Sequence, residues 1–309
     1  MNNYSDKIAI TTGDPNGIGA EITIKALNKL NLPAEKFVIV SNKKILDFYG
    51  RLDKAYEILE IPFETEIIPG QATKDAGEFS FQTLKKVCEI TPKAIVTAPV
   101  AKNALHKAGH FYNGQTEVLQ KFLAHDGQHA EMLFVAGDFR VLLLTRHCPL
   151  KEIKLTKEIV VKKILDLKEF FINHLNITNP EFALCGFNPH SGEEGILGNE
   201  EIEILNPAVS ELIAVGVNIT KPLPADTLFV NAARHYLYDN TLPIYDCYIA
   251  NYHDQGLIPI KTAAGDKTVN MTIGLDIIRT SPGHGTAFDI AGKNIADETG
   301  MISAIRAVL

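Results

Sequence analysis

Apolar β-branched stretches alternate with stretches of helical periodicity along this chain, and this alternation constrains the fold more than any other feature of the sequence. Short apolar runs predict strands, and apolar residues that recur every three or four positions predict helices. The first hundred residues give three strands and three helices in this way, at Lys7–Thr12, Gly17–Leu30, Phe37–Ser41, Lys43–Arg51, Asp75–Ile90 and Ala94–Ala98. Such alternation is typical of βαβ units around a largely parallel sheet.

The pattern changes in the middle of the chain, where two strands joined by a tight Gly137-Asp138 turn precede a long charged helix. The later predicted elements are strands at Ala130–Ala136, Phe139–Thr145, Glu181–Gly186, around Lys221, Ile244–Ile249, Leu257–Ile260 and Thr268–Ile273, and helices at Lys154–Leu175 and Asp297–Leu309. A mixed sheet inserted between two α/β segments explains the change. We therefore predict two α/β/α domains with a cleft between them, one made of residues 1–125 together with 262–309 and the other of residues 126–261.

Composition excludes several classes of function. The 309 residues carry a net charge of −7 and no basic tract, which argues against nucleic-acid binding. No apolar run reaches the roughly 18 residues of a membrane span. No secretory or transit segment is recognised before the first strand, so we expect a cytoplasmic protein whose four cysteines are free thiols.

Three histidines share one setting. His147, His190 and His253 each follow a predicted apolar strand and lie in the loop beyond it. Ligands of α/β sheets collect at the carboxyl ends of strands, and three imidazoles there could bind a divalent metal and leave positions open for substrate. A hydrogen-bonded structural role for each histidine is the alternative, and spacing alone does not decide between the two.

Two glycine-rich segments could bind a ligand. "TTGDPNGIGAE" joins the first strand to the first helix, but it matches neither GxGxxG nor a P-loop, and a purely structural turn explains it equally well. "SPGHGTAFDIAGKNIADETG" contains a predicted short helix, Thr286–Ala291. There Gly285 and Thr286 could bind a phosphate, and Asp289 could accept hydrogen bonds from a ribose diol. A surface loop is the alternative.

Six motifs, taken together, resemble the 4-hydroxythreonine-4-phosphate dehydrogenase family. In chain order from residue 11 to residue 293 they are "TTGDPNGIGAE", "TAPVAK", "GFNPHSGEEG", "PADTLF", "YHDQGLIPIK" and "RTSPGHGTAFDIAGK". The resemblance implies an isocitrate/isopropylmalate dehydrogenase-like fold. It also implies NAD-dependent oxidation of 4-phosphohydroxy-L-threonine, followed by decarboxylation to 3-amino-2-oxopropyl phosphate, in pyridoxal phosphate biosynthesis.

The resemblance also implies residue roles. His147, His190 and His253 would bind one divalent ion (zinc, magnesium, cobalt or manganese), with His253 delivered by the second subunit of a homodimer. The remaining implied roles concern substrate and cofactor. Substrate would be bound by Gln115, Thr116, Lys261, Asn270 and Arg279, with Asp226 lining the same site and Lys261 and Asp226 as the catalytic pair. NAD, or NADP as the alternative, would be bound by His284, Gly285, Thr286, Asp289 and Asp297.

One position departs from the family pattern. The family usually has histidine where this chain has Gln115, and a glutamine keeps a donor and an acceptor but carries no positive charge. The departure leaves open a related phosphorylated hydroxy acid, such as 4-phosphoerythronate, as the substrate. A metal-dependent hydrolase and a catalytically silent metabolite-binding protein are the alternatives from other classes.

Overall fold

The structure, a computed structural model, describes residues 3–238 and 244–309. The strands are β1 Ile8–Thr11, β2 Phe37–Ser41, β3 Glu57–Glu60, β4 Ala94–Thr97, β5 Glu131–Ala136, β6 Phe139–Leu143, β7 Glu181–Leu184, β8 Asn218–Ile219, β9 Cys247–Ala250, β10 Val269–Ile273 and β11 Ile278–Pro282. The helices are α1 Gly19–Leu30, α2 Lys43–Tyr49, α3 Lys74–Glu89, α4 Lys102–Lys107, α5 Gln115–Leu123, α6 Lys157–Leu175, α7 Asn206–Ala214, α8 Ala225–Tyr238, α9 His253–Ala264 and α10 Thr299–Arg306. None of the helices within the described ranges is both long and apolar enough to cross a membrane.

The chain forms two compact units, which we call unit 1 (Met1–Ala130 with Val269–Leu309) and unit 2 (Glu131–Thr268). The boundaries predicted from sequence, at 125 and 261, fall a few residues before these points. The assignment of the dinucleotide loop and the metal ligands to separate functional domains stays a prediction.

Unit 1 is built on a mainly parallel sheet with the strand order β3-β2-β1-β4-β11-β10. Neighbouring strands are parallel from β3 to β11, and β10 runs antiparallel to β11. Strands β1, β2 and β4 are buried along their whole length, as expected for parallel strands covered on both faces.

Unit 2 has the strand order β5-β6-β9-β7-β8. The hairpin β5–β6 is antiparallel and turns at Gly137, whose φ of 59° lies in the left-handed region that suits glycine. The strands β6, β9, β7 and β8 are parallel to one another, so the carboxyl ends of β6, β9 and β7 lie side by side at one edge.

Local sequence explains where several helices begin and end. The side chains of Thr73 and Thr156 accept hydrogen bonds from Ala76 and Ile159 backbone amides, and these caps start α3 and α6. Both α1 and α6 end at an asparagine in the left-handed conformation, Asn31 and Asn176.

Four predictions about elements were wrong. The predicted strand at Leu257–Ile260 is part of helix α9, and the strand before it begins at Cys247 rather than Ile244. The strand predicted around Lys221 lies instead at Asn218–Ile219. The predicted helix Thr286–Ala291 is an irregular loop that ends in a turn.

The prediction of four free cysteines is confirmed.

Candidate active site

The three histidines singled out by sequence follow three neighbouring parallel strands. His147 follows β6, His253 follows β9 at the start of α9, and His190 lies in the loop after β7. Adjacent strands are about 4.8 Å apart, so these strand ends lie within about 10 Å of one another across one edge. The three histidines thus follow strands at one edge of unit 2, and the delivery of His253 by a second subunit stays a prediction.

His147 and His253 lie next to each other, with ring centroids 5.4 Å apart. Two imidazoles on one tetrahedral ion, each at a metal–nitrogen distance of about 2.1 Å, place their ring centroids about 5 Å apart, so the pair fits a shared ion. His253 Nδ1 lies 2.7 Å from Asp254 Oδ1, a contact that would fix the ring and leave Nε2 for the metal. Among the described residues, no group of three His, Cys, Asp or Glu side chains is close enough to hold a metal, so His190 does not join the pair here.

The His190 loop has an unusual backbone. Residues 190–194 all have positive φ, and four of these five residues are not glycine. Such a run is strained for L-amino acids and persists only when the surroundings hold it. Here the buried Glu201 carboxylate accepts hydrogen bonds from Asn188 N (2.8 Å) and Nδ2 (2.9 Å).

Glu201 also packs against this loop at Gly192. A Cβ placed on Gly192 would lie 2.7 Å from Glu201 Oε2, so the loop approaches the carboxylate as closely as a glycine allows. The carboxylate of Glu201 therefore ties the loop that carries His190 to the body of unit 2.

Unit 1 has a candidate site of its own, which is marked by a buried cation. Arg279 on β11 is only 3% exposed, and its Nε and Nη2 donate to Thr97 Oγ1 at 2.8 and 2.6 Å. Burial lowers the pKa of Arg279 to about 10, and nearby Glu117 opposes this effect, so the guanidinium stays charged at neutral pH. Its hydrogen-bond partners are neutral hydroxyls, which leaves a buried positive charge suited to an anionic ligand.

The other predicted substrate residues of unit 1 lie on β10, next to the strand of Arg279, and at the start of α5. Thr272 lies opposite Arg279 in the β10–β11 ladder, and Asn270, two residues before it, projects from the same face. Gln115 and Thr116 open helix α5, and Gln115 Nε2 donates to Ala98 O, next to Thr97, at 3.1 Å. Gln115 Oε1 and Asn270 Oδ1 are buried with no hydrogen-bond partner among the described residues. Unmet acceptors beside a buried cation indicate a site built for a polar ligand.

Lys261 and Asp226 belong to unit 2. Lys261 lies on the exposed side of α9, so the predicted context, directly after a buried strand, is wrong. Asp226 lies in the first turn of α8 and is exposed.

The predicted cofactor residues lie in the loop between β11 and α10. Thr286 O accepts a hydrogen bond from Ile18 N at 3.1 Å, and a Cβ on Gly17 would lie 3.1 Å from Thr286 Cβ. The N-terminal glycine loop therefore has a structural function, because it supports the C-terminal loop. Asp297 Oδ1 accepts from Thr299 N at 2.7 Å, and its hydrogen bonds with Thr299 lower the pKa of this carboxyl. Asp289 is exposed in the same loop.

Sequence reasoning missed two residues near this site. Thr97, in the "TAPVAK" motif, holds the guanidinium of Arg279, but the motif was not given a role. Asp14, in the glycine loop, is fully buried, and its Oδ1 accepts a hydrogen bond from the amide of Asn16 at 2.9 Å. The available signal was a polar residue near the end of an apolar strand, since Thr97 is the last residue of β4 and Asp14 lies three residues after β1.

The architecture defines a class by fold, the α/β proteins with an isocitrate/isopropylmalate dehydrogenase-like fold. An isocitrate dehydrogenase from Methylococcus capsulatus shares the fold, at a TM-score of 0.52 and 15% identity over 98% of this chain and 84% of that one. At such low identity the likeness extends to the fold alone.

The family is narrower than the class. The family model of the pyridoxal phosphate biosynthetic protein PdxA matches residues 8–308, and the chain belongs to this family of dehydrogenases. A 4-hydroxythreonine-4-phosphate dehydrogenase from Sulfurihydrogenibium sp. (strain YO3AOP1) is 37% identical, over 97% of this chain and 96% of that protein. A solved structure of the enzyme of that name from Klebsiella pneumoniae has a TM-score of 0.84 and 33% identity, covering 98% of each chain.

One relative has a different name. A protein of Oceanobacillus iheyensis, provisionally named D-threonate 4-phosphate dehydrogenase, is also 37% identical, over 96% of this chain and 95% of that protein. Overall identity therefore does not separate the two substrate names.

Proposed function

We propose that the protein oxidises 4-phosphohydroxy-L-threonine with NAD and that the resulting β-keto acid loses carbon dioxide to give 3-amino-2-oxopropyl phosphate, in pyridoxal phosphate biosynthesis. One observation carries the proposal. In a chain of this family, three histidines follow neighbouring parallel strands, and two of their rings lie 5.4 Å apart. Neutral imidazoles suit this chemistry because they leave the full charge of an ion for the substrate oxygen.

His147, His190 and His253 would hold one divalent ion, and the donor set suits zinc, cobalt or manganese, with magnesium as a water-rich alternative. When bound, the ion would stabilise negative charge on the substrate oxygen, and the nicotinamide would accept the hydride. The His190 loop would have to move toward the other two rings. Its strained backbone, held by Glu201, is compatible with a loop that changes conformation when a ligand binds.

Arg279 would clamp the phosphate of the substrate with its planar fork, and Gln115, Thr116 and Asn270 would complete the polar lining. Lys261 would add a point charge for the substrate, and Asp226 would orient a metal-binding histidine or the substrate amine. The homodimer implied by the sequence would complete the site at the subunit interface.

NAD would be bound by the loop that carries His284, Gly285, Thr286, Asp289 and Asp297. A carboxylate at position 289 can accept hydrogen bonds from a ribose diol and would repel a 2′-phosphate, so NAD is preferred over NADP.

A second substrate has a specific observation in its favour. Gln115 carries no charge where the family usually has histidine, and the relative from Oceanobacillus iheyensis is named for a phosphorylated acid without an amine. A phosphorylated hydroxy acid such as D-threonate 4-phosphate or 4-phosphoerythronate is therefore the second candidate.

The test is NADH formation by the purified protein with each of these substrates, before and after chelation. We expect turnover of 4-phosphohydroxy-L-threonine that chelation abolishes and added metal restores. A higher kcat/KM for either hydroxy acid would shift the assignment to the second candidate. Ligand binding without NADH formation under any metal would exclude the dehydrogenase proposal and favour a silent binding protein. Metal-dependent hydrolysis without NAD would instead favour a hydrolase.

A further inference from the structure

A pocket of about 550 Å³ in unit 1 lies against the predicted cofactor loop. One wall consists of Gly285, Thr286 and Phe288, and the other of residues 100–103 and His106, on α4 and the segment before it. The volume is in the range of small-molecule sites, which is roughly 300–1,000 Å³. No role was predicted for α4 from the sequence.

The charges around this pocket point to an anionic ligand. Lys102 and His106 line it, and none of the lining side chains in the described part of the chain is acidic. The chain as a whole has a net charge of −7, so a pocket with basic but no acidic side chains in its described lining departs from the average surface. Lys102 is exposed, and its Nζ contacts the neutral Asn113 Oδ1 at 3.4 Å, which leaves the charge available to a ligand.

The opposite wall suits the rest of a nucleotide. Gly285 has open space where a Cβ would lie, so a ligand can approach its backbone closely. Phe288 offers an aromatic surface, and Thr286 is held in place by the hydrogen bond from Ile18 N. The lining therefore combines basic groups, an accessible backbone and an aromatic ring, which a dinucleotide can use together.

We propose that Lys102 and His106 bind the pyrophosphate of the dinucleotide cofactor from the side opposite the 284–289 loop. This inference rests on the proposed NAD dependence and extends the cofactor site to helix α4. Lys102 acts as a point charge on the phosphate oxygens. His106 lies one turn further along the same helix, and its Nε2 donates to Tyr112 O at 3.1 Å, so it bonds a phosphate oxygen through Nδ1 as the imidazolium.

The test is binding of NADH, ADP and adenosine to the intact protein without substrate, followed by fluorescence for NADH and by calorimetry for the other two. Lys102→Met and His106→Gln should each weaken NADH and ADP binding by roughly tenfold, because each removes a charge-assisted hydrogen bond. Adenosine has no phosphate, so its binding should not change. In turnover, KM for NAD should rise while KM for the phosphorylated substrate stays within about twofold.

Lys107→Met is the matched control. It removes the same charge from the same helix, but Lys107 donates to Ala72 O and does not line the pocket. Wild-type NADH affinity in Lys102→Met, or an equal loss in Lys107→Met, would overturn the inference while leaving the proposed NAD dependence intact. A wild-type protein that binds neither NADH nor ADP would instead reject the cofactor proposal itself, and the inference with it.

Discussion

At the scale of single residues, the burial of Arg279 is the most informative feature of the site. Burying a guanidinium that is 3% exposed and hydrogen-bonded to hydroxyls costs free energy on folding, because its charge loses hydration and nearby Glu117 offsets that loss only in part. A site that keeps such a group gains from it only when an anion binds. Arg279 should therefore increase the affinity for a phosphorylated substrate while it lowers the free energy of unfolding.

Replacing Arg279 with Met should separate the two effects. We expect the free energy of unfolding to rise by about 1–3 kcal/mol, because a buried charge is replaced by an apolar side chain of similar length. Affinity for the phosphorylated substrate should fall by roughly a hundredfold or more, and NADH affinity should not change. Urea unfolding and substrate titration measure the two quantities. Arg51→Met, on the exposed surface, is the control, and a less stable R279M protein that still binds substrate would contradict this account.

Asp14 makes stability depend on pH. Burial raises its pKa from 3.8 to about 6, although hydrogen bonds from Asn16 and Ala101 amides oppose the effect. Between these two values the folded chain holds a proton that the unfolded chain has released. The contribution of Asp14 to the free energy of unfolding is therefore largest below about pH 4. It falls by an amount on the order of 3 kcal/mol as the pH rises toward 6.

Asp14→Asn should remove this pH-dependent loss. We expect the variant to be more stable than the wild type above pH 6 and to show a flatter stability profile between pH 4 and 6. Urea unfolding at several pH values measures the difference. Identical profiles for the two proteins would show that the Asp14 carboxyl is not desolvated as the structure indicates.

At the scale of elements, close helix packing depends on Gly77. A Cβ at this position in α3 would lie 1.9 Å from the backbone oxygen of Ala104 in α4, and a backbone atom cannot move away as a side-chain tip can. Gly77→Ala should lower the free energy of unfolding by about 1–3 kcal/mol, even though alanine favours the helix by about 1 kcal/mol. Gly285→Ala, which meets open space in the same unit, should change it by less than about 0.5 kcal/mol. Equal changes in the free energy of unfolding for the two variants would contradict the close packing of α3 on α4 at Gly77.

Elements with regular patterns could be predicted from sequence. Strand β2 was placed at its observed bounds, and α6 was placed within three residues at its start, because apolar periodicity and a threonine cap are local signals. The segment Leu257–Ile260 failed because a short apolar run fits a strand and a buried helix equally well. It is helical because α9 packs closely on β6, where a Cβ placed on Gly256 would lie 2.7 Å from Leu143 Cδ2.

Strand β11 could not be predicted because its residues are polar. Arg279, Thr280 and Ser281 are buried, and the hydroxyl of Thr280 donates to Ala304 O at 2.8 Å. These polar groups are satisfied by hydrogen bonds to residues distant in the sequence, and a periodic sequence pattern does not predict such bonds. The candidate site residues also differ in how far the sequence predicts them. The histidines could be found because each follows a predicted strand. The Thr97–Arg279 contact could not, because it joins residues far apart in the chain.

At the scale of the whole molecule, the strand order brings distant parts of the sequence together. In unit 2 the order β6-β9-β7 places strands from three separate segments side by side, each followed by a histidine. In unit 1 the return of the chain through β10 and β11 places Arg279 against Thr97 at the end of β4. Unit 2 therefore carries imidazoles suited to a cation, and unit 1 carries a buried cation suited to an anion.

The measurement that tests the central claim most directly is metal titration of the purified, chelator-treated protein, with cobalt as a spectroscopic probe. We expect one ion per chain, and a loss of affinity of roughly a hundredfold or more in each of His147→Ala, His190→Ala and His253→Ala. His125→Ala removes an exposed histidine that pairs with Asp276, and it should bind cobalt as the wild type does. Wild-type affinity in any of the first three variants would contradict a site shared by the three imidazoles.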